Sequence, residues 1–220
     1  MNILVLGASG GVGRHIVNQA AARHRVAAVV RASTAFEAPA SVTVLRGDVE
    51  APGVLEQAID TLGGVDVVLS SLGIKRRVPA NPWSALVSSR DFCSTSARRI
   101  VDACTAKGVR RVIAVSAAGV GDSAAAMNAL MRMFVATSNV GVAYRDLAVM
   151  EAVFAASGLD WLCPRPVRLT DGPLTGTAHV IHGFSMAAQI PRADVAAWML
   201  LRAETNDAAA LATRLPELAA

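Results

Sequence analysis

Three glycines near the amino end have the spacing of a phosphate-binding turn. Gly7, Gly10 and Gly13 directly follow the apolar run Ile3–Leu6 and open a stretch with helical periodicity. In such a turn the first glycine permits a tight bend, the second lets the backbone approach a pyrophosphate, and the third allows close packing of helix on strand. The helix N-terminus then offers free N–H groups to the phosphates, whereas the alternative is a flexible turn without a ligand. We expect further contacts to the same dinucleotide from Ser9, Gly11 and Val12.

The end of the second predicted strand indicates which dinucleotide is bound. Enzymes that bind NAD carry Asp or Glu there for the ribose 2′-OH, whereas an arginine accommodates the 2′-phosphate of NADP. This chain has Arg31 at that point and Ser33 shortly after it, with no acidic residue before Glu37. Because a guanidinium can fork onto a phosphate and stack on adenine, we predict NADP(H) as cofactor. A solvated surface arginine is the alternative.

Two further strand ends carry candidate cofactor contacts. Asp48 and Val49 follow the third predicted strand, where a carboxylate could accept a hydrogen bond from the adenine amino group or cap the next helix. At the end of the fourth strand, a glycine would keep the backbone close to the nicotinamide ribose. The residues of that second group are Ser71, Leu72 and Gly73.

Polar side chains at the other end of the predicted cleft are candidates for catalysis and substrate binding. Ser116 ends the fifth predicted strand, where its hydroxyl could bond the acceptor or the nicotinamide carboxamide, or cap nearby backbone. The run Lys75-Arg76-Arg77 follows the fourth strand, and we expect Lys75 and Arg76 to attract an anionic substrate. A solvated charge run is the alternative for this cluster.

Apolar strands alternate with alanine-rich helices along the chain, which predicts a doubly wound α/β fold with a parallel sheet. We interpret residues 1–220 as one Rossmann-like domain, in which 164–190, with a short strand around His179–Phe184, forms either a substrate-side loop region or a plain C-terminal cap. The predicted strands are Ile3–Leu6, Val26–Val30, Val42–Leu45, Val65–Leu69, Arg111–Val115 and Leu159–Cys163. The predicted helices are Val12–Arg23, Val54–Leu62, Trp83–Lys107, Ala143–Ala156 and Ala193–Glu204.

Composition excludes several classes of protein. With 53% apolar and 17% charged residues, the chain can form a core and is not disordered. Three unclustered cysteines indicate neither a disulfide scaffold nor a metal site, and they favour a cytoplasmic location. The net charge of +4 is scattered and aromatic residues are few, so we predict no nucleic-acid partner. No apolar run is long enough to predict a membrane span, and we expect a monomer or small homo-oligomer.

Taken together, these motifs resemble the atypical short-chain dehydrogenase/reductase group with an NAD(P)H-binding, NmrA-like fold, and are most similar to its flavin reductase/biliverdin reductase B type. The resemblance covers nearly the whole chain. It is carried by Gly7–Gly13, Val30-Arg31, Gly47–Val49, Leu72-Gly73, Val115–Ala117, Ser157–Leu159 and Leu169–Gly176. It implies a Rossmann-type fold, NADPH binding and reduction of flavin-like or tetrapyrrole-like acceptors.

The chain also departs from this group at catalytic positions. The standard Tyr-x-x-x-Lys relay is represented by Tyr144, but Ala148 stands in the lysine position, which disfavours alcohol–ketone chemistry. Leu147 and Arg168 stand where the biliverdin-reducing relatives have histidines, so biliverdin itself is a weak prediction. Tyr144 is kept as a second catalytic candidate, and Arg168 as a substrate-binding one.

We therefore predict an NADPH-dependent oxidoreductase that transfers hydride to a planar conjugated acceptor, such as a flavin, a quinone or a tetrapyrrole-like molecule. Hydride transfer to a flavin needs no tuned protein acid, because the protein has mainly to place the two rings face to face. The alternative is a non-catalytic NADP(H)-sensing regulator, which the missing lysine favours.

Overall fold

Six parallel strands form the main sheet, in the order β3-β2-β1-β4-β5-β6. The structure is a computed structural model that describes residues 1–185, 187–205 and 214–220. This strand order, with helices on both faces, confirms the predicted doubly wound fold. The strands are β1 (Asn2–Leu6), β2 (Arg25–Val30), β3 (Val42–Arg46), β4 (Val67–Ser70), β5 (Arg111–Ala114) and β6 (Asp160–Leu162).

Helices cover the two faces of the sheet and bury alternate residues of its strands. Ile3 and Val5 of β1 pack with the helices of one face, while Leu4 and Leu6 pack with those of the other. The first face carries α1 (Gly11–Ala20) and α6 (Arg192–Glu204). The second carries α2 (Val54–Thr61), α3 (Phe92–Lys107) and α5 (Val140–Ala155).

One predicted helix begins later than expected. The helix predicted over Trp83–Lys107 starts at Phe92, so its first nine residues were wrongly assigned. The buried Asp146 carboxylate of α5 accepts the N–H groups of Cys93 (2.7 Å) and Ser94 (3.1 Å), which fixes that start. Such a cap comes from a distant part of the chain and has no local sequence signal.

Trp83 belongs instead to a loop that contacts an unpredicted helix, α4 (Ala129–Thr137). Its indole N–H donates to the Thr137 carbonyl at 2.9 Å, and its ring meets Phe134 edge-on. A short 3₁₀ helix, Gly121–Ala126, precedes α4. None of the helices among residues 1–185, 187–205 and 214–220 combines the length and apolarity needed to cross a membrane.

The segment after β6 forms two small sheets rather than one irregular loop. The predicted short strand around His179–Phe184 is observed at its first three residues only. One small sheet pairs two strands in parallel, and the other contains three strands. The strands of this region are β7 (Arg165–Pro166), β8 (Arg168–Thr170), β9 (His179–Ile181), β10 (Gln189–Pro191) and β11 (Glu217–Ala219).

Candidate functional site

A cleft with an empty volume of about 480 Å³ lies beyond the carboxyl ends of the central strands. This is the edge where ligands bind in open α/β sheets. We call it the first cleft, and most of the predicted cofactor residues line it. Its lining is Gly7, Ser9, Gly10, Val29, Val30, Arg31, Gly47, Asp48, Val49, Ser71, Leu72, Gly73, Lys75 and Phe92.

The glycine-rich turn has the geometry of a phosphate cradle. Gly7 has a φ of 76°, and a Cβ on Gly13 would lie only 2.2 Å from the Gly7 carbonyl oxygen. The turn is closed by the Gly10 N–H, which donates to that same oxygen at 2.8 Å. The N-cap residue of α1 is Gly10, which has no side chain to bond the first-turn N–H groups, so those groups can bind a phosphate. The turn therefore fits a dinucleotide.

The far end of the first cleft carries the predicted 2′-phosphate residue. Arg31 lines the cleft, with its guanidinium carbon 5.5 Å from the centre of the Phe92 ring. Ser33 lies in the exposed turn that follows β2. Asp48 lines the cleft and accepts the Glu50 N–H at 3.0 Å within its own turn. The next helix, α2, begins only after Gly53, so the interpretation of Asp48 as a helix cap was wrong, and its contact with the adenine stays a prediction. Arg31 therefore lines the cleft at the end of β2, and its contact with a ribose 2′-phosphate stays a prediction.

An acidic residue near Arg31 escaped the sequence analysis. Burial, followed by the neighbouring carboxylates of Asp48 and Asp91, raises the pKa of Glu50, and the positive charge of Arg31 opposes that rise. The positive charge of Arg31 therefore faces several carboxylates at this end of the cleft.

A second cleft, of about 700 Å³ empty volume, adjoins the first and shares three of its residues. Its walls are mainly apolar, which suits a planar conjugated molecule. Leu169 contributes to the wall, so the segment after β6 does reach this site. The full lining of the second cleft is Gly11, Val12, Ser71, Leu72, Gly73, Ile74, Cys93, Val115, Ser116, Ala143, Leu147, Leu169 and Arg192.

Ser116 lines the second cleft, but its hydroxyl is engaged within the protein. It donates to the Glu151 carboxylate at 2.6 Å, and both groups are buried. The guanidinium of Arg165 binds the same carboxylate through two nitrogens, at 2.9 and 2.7 Å, and also binds Asp122 at 2.6 Å. Ser116 is therefore the cleft end of a continuous polar network.

The network favours the charged forms of Arg165 and Asp122. Burial acts to lower the pKa of the Arg165 guanidinium, but its hydrogen bonds with Glu151 and Asp122 raise it above the usual value. The hydrogen bond from Arg165 in turn lowers the pKa of Asp122. Glu151 lies seven residues after Tyr144, on the same face of α5, and this helical spacing is the one sequence signal that could have pointed to it.

Tyr144 also directs its hydroxyl into the protein. The hydroxyl donates to the Ala118 carbonyl at 3.0 Å, and burial raises the pKa of the phenol. The neighbouring residues of α5, Ala143 and Leu147, are the ones that line the second cleft. Cys93 lines it too, but burial and then Asp146 raise the pKa of its thiol to about 12, so it is protonated at neutral pH.

The predicted basic residues separate into two groups. Lys75 lines the first cleft next to the residues that both clefts share. Arg76 donates to the Pro79 carbonyl at 2.8 Å, within its own loop, and Arg168 donates to Gln189 at 2.6 Å, between β8 and β10. A substrate role for Arg76 and Arg168 stays a prediction. Arg192, which the sequence analysis missed, lines the second cleft instead.

Comparison with known protein families bears on the cofactor. A family model described as NAD(P)H-binding matches residues 7–205. A search of curated proteins gives no match.

Solved structures match over the whole length of the chain. An anaerobillin reductase from Escherichia coli O157:H7 is 25% identical, with a TM-score of 0.77 and coverage of 100% of this chain and 97% of that one. A short-chain dehydrogenase/reductase from Veillonella parvula, in complex with NADP, is 20% identical, with a TM-score of 0.76 and coverage of 100% and 94%. A Rossmann-fold NAD(P)-binding family protein from Shigella flexneri is 22% identical, with a TM-score of 0.67 and coverage of 99% and 92%. These likenesses confirm the predicted Rossmann-type fold.

Proposed function

This chain belongs to the NAD(P)H-binding family, and from that premise we propose that it is an NADPH-dependent reductase of planar conjugated acceptors, most plainly flavins. NADPH, when bound, supplies the hydride. Arg31 selects the phosphorylated cofactor by pairing with its 2′-phosphate, and the turn Gly7–Gly13 holds the pyrophosphate. The Veillonella parvula relative, solved with NADP, supports this choice of cofactor.

The single observation that carries the proposal is the inward direction of both candidate hydroxyls. Ser116 donates to Glu151 and Tyr144 donates to the Ala118 carbonyl, so neither proton is offered to an acceptor in the second cleft. A ketone substrate would need such a donor in the transition state. A reduced flavin can take its proton from water, and the protein then contributes position alone.

The apolar walls of the second cleft supply that position. Val115, Leu147 and Leu169 offer flat contact area without hydrogen-bond donors, and they exclude water from a stacked ring. Tetrapyrroles share this planar, conjugated chemistry, and the likeness to an anaerobillin reductase supports including them among the acceptors.

The test is anaerobic mixing of the protein and NADPH with riboflavin, flavin mononucleotide, quinones and linear tetrapyrroles, followed by the loss of NADPH absorbance. We expect turnover of at least one flavin, and turnover that survives in the variants Ser116→Ala and Tyr144→Phe. A protein that binds NADPH but reduces none of these acceptors would contradict the proposal.

The second candidate is a regulator that senses NADP(H) without chemistry, and Ala148 in the position of the catalytic lysine favours it. The acceptor panel separates the two functions. A regulator should bind NADPH and NADP⁺ with different affinities and should leave every acceptor oxidised, whereas a reductase should turn over.

A further inference from the structure

Arg192, the first residue of α6, lies directly on the glycine-rich turn. A Cβ on Gly11 would be 2.4 Å from its Cδ and 2.6 Å from its Nε. Such distances are far shorter than any real contact, so the arginine side chain occupies space that only a glycine leaves free. The cation is thus held over the backbone at the start of α1, the helix end that attracts anions.

Arg192 forms a weak ion pair with Asp171. Its Nη1 donates to the Asp171 carboxylate at 2.6 Å, but the Asp171 side chain is 91% exposed, whereas that of Arg192 is 27% exposed. Ion pairs with an exposed carboxylate contribute little to stability, because water competes for both charges. A better-placed anion can therefore displace Asp171 at small cost.

The segment that carries Asp171 is anchored independently of this pair. Buried Asp194 accepts the N–H groups of Thr175 and Gly176, both at 2.9 Å, and the Thr175 hydroxyl at 2.5 Å. Release of Asp171 would consequently leave the segment attached to α6. The ion pair can open without unfolding its surroundings.

We infer that Arg192 binds the pyrophosphate of the dinucleotide and that Asp171 holds the arginine in place until the cofactor displaces it. The fork of a guanidinium matches phosphate oxygens in a bidentate manner, which a carboxylate only partly imitates. Arg31 then binds the 2′-phosphate, which NADPH has and NADH lacks. Arg192 binds the pyrophosphate, which the two cofactors share. The inference rests on the dinucleotide site of the proposed function and is independent of the acceptor.

The experiment compares Arg192→Ala with the matched control Arg98→Ala, which removes an exposed arginine of α3. Dissociation constants for NADPH and NADH are measured by fluorescence titration, and melting temperatures establish that each variant is folded. We expect Arg192→Ala to weaken both cofactors by about 10- to 100-fold, the loss of one charge-assisted contact. Arg192→Lys should recover part of that loss, because it keeps the charge and loses the fork. Arg98→Ala should change neither constant.

A second variant tests whether the cofactor displaces Asp171 from Arg192. Asp171→Asn removes the competing charge, so we expect both cofactors to bind a few-fold more tightly. In the Arg192→Ala background the same substitution should have no effect, because the two residues act through one contact.

Three results would overturn the inference. Unchanged affinities in a folded Arg192→Ala variant would remove the phosphate contact, and a loss confined to NADPH would place Arg192 at the 2′-phosphate. Normal cofactor affinity with a raised KM for flavin mononucleotide, but not for riboflavin, would assign Arg192 to the acceptor. The two affinity measurements need no turnover, so they remain decisive even if no acceptor is reduced and the proposed reductase activity fails.

Discussion

The two clefts meet at Ser71, Leu72 and Gly73, yet they are built in different ways. The first cleft is formed by the glycine-rich turn and by residues at the ends of neighbouring strands. The second is formed by residues that arrive from several distant elements, and its Ser116 hydroxyl belongs to a buried network with Glu151 and Arg165. A backbone cradle follows from local glycine spacing, whereas a side-chain network follows from the fold as a whole.

The largest expected effect concerns the buried polar network beside the second cleft. Glu151→Ala leaves the buried guanidinium of Arg165 with the exposed Asp122 as its remaining side-chain partner among the described residues. Removing one partner of a buried ion pair typically costs about 3–5 kcal/mol, and the retained Asp122 should hold the loss near the lower figure. Denaturant titration measures it, with Glu37→Ala, an exposed carboxylate between β2 and β3, as a control. A loss as small as that of the control would show that the network contributes no stability.

The second-largest expected effect concerns the glycine-rich turn of the first cleft. Gly13→Ala places a Cβ 2.2 Å from the Gly7 carbonyl oxygen, and backbone atoms cannot move away as a flexible side chain can. We expect a loss of about 2–3 kcal/mol in unfolding free energy, together with loss of NADPH binding. The matched control is Gly172→Ala, where a Cβ meets no atom within 4 Å. Equal behaviour of the two variants would contradict the close packing of the turn.

The same distinction explains how far the sequence could be interpreted. The six strands and the glycine-rich turn were predicted because apolar runs and glycine spacing are local patterns. The start of α3 was not, because Asp146 caps it from more than fifty residues away along the chain. The direction of the Ser116 hydroxyl could not be predicted from the sequence either. It is set by a hydrogen bond to the Glu151 carboxylate, which Arg165 binds from another part of the chain.

A third, intermediate effect sharpens the comparison within the first cleft. Arg31→Asp should weaken NADPH by about 10- to 100-fold, since it removes a charge-assisted contact and adds a carboxylate that repels the 2′-phosphate. NADH lacks that phosphate and should be affected much less. The nearby carboxylates of Asp48 and Glu50 should strengthen this discrimination. Titration with both cofactors measures it, and equal losses would show that Arg31 does not read the phosphate.

The smallest expected effect concerns Lys75, which lies at the junction of the two clefts. Of the basic run, Lys75 lines the first cleft, whereas the Arg76 guanidinium is bonded to Pro79. Lys75→Ser should therefore raise the KM for flavin mononucleotide by a few-fold and spare riboflavin, because the lysine attracts the flavin phosphate through a wet surface. Arg77→Ser, which removes an exposed arginine of the same run, is the matched control and should leave both KM values unchanged. High salt should reduce the difference between the two flavins in the unaltered protein, since charges are screened within about 3 Å at 1 M. Parallel changes for charged and neutral flavins in Lys75→Ser, or an equal effect of Arg77→Ser, would contradict a specific role of Lys75 in attracting the flavin phosphate.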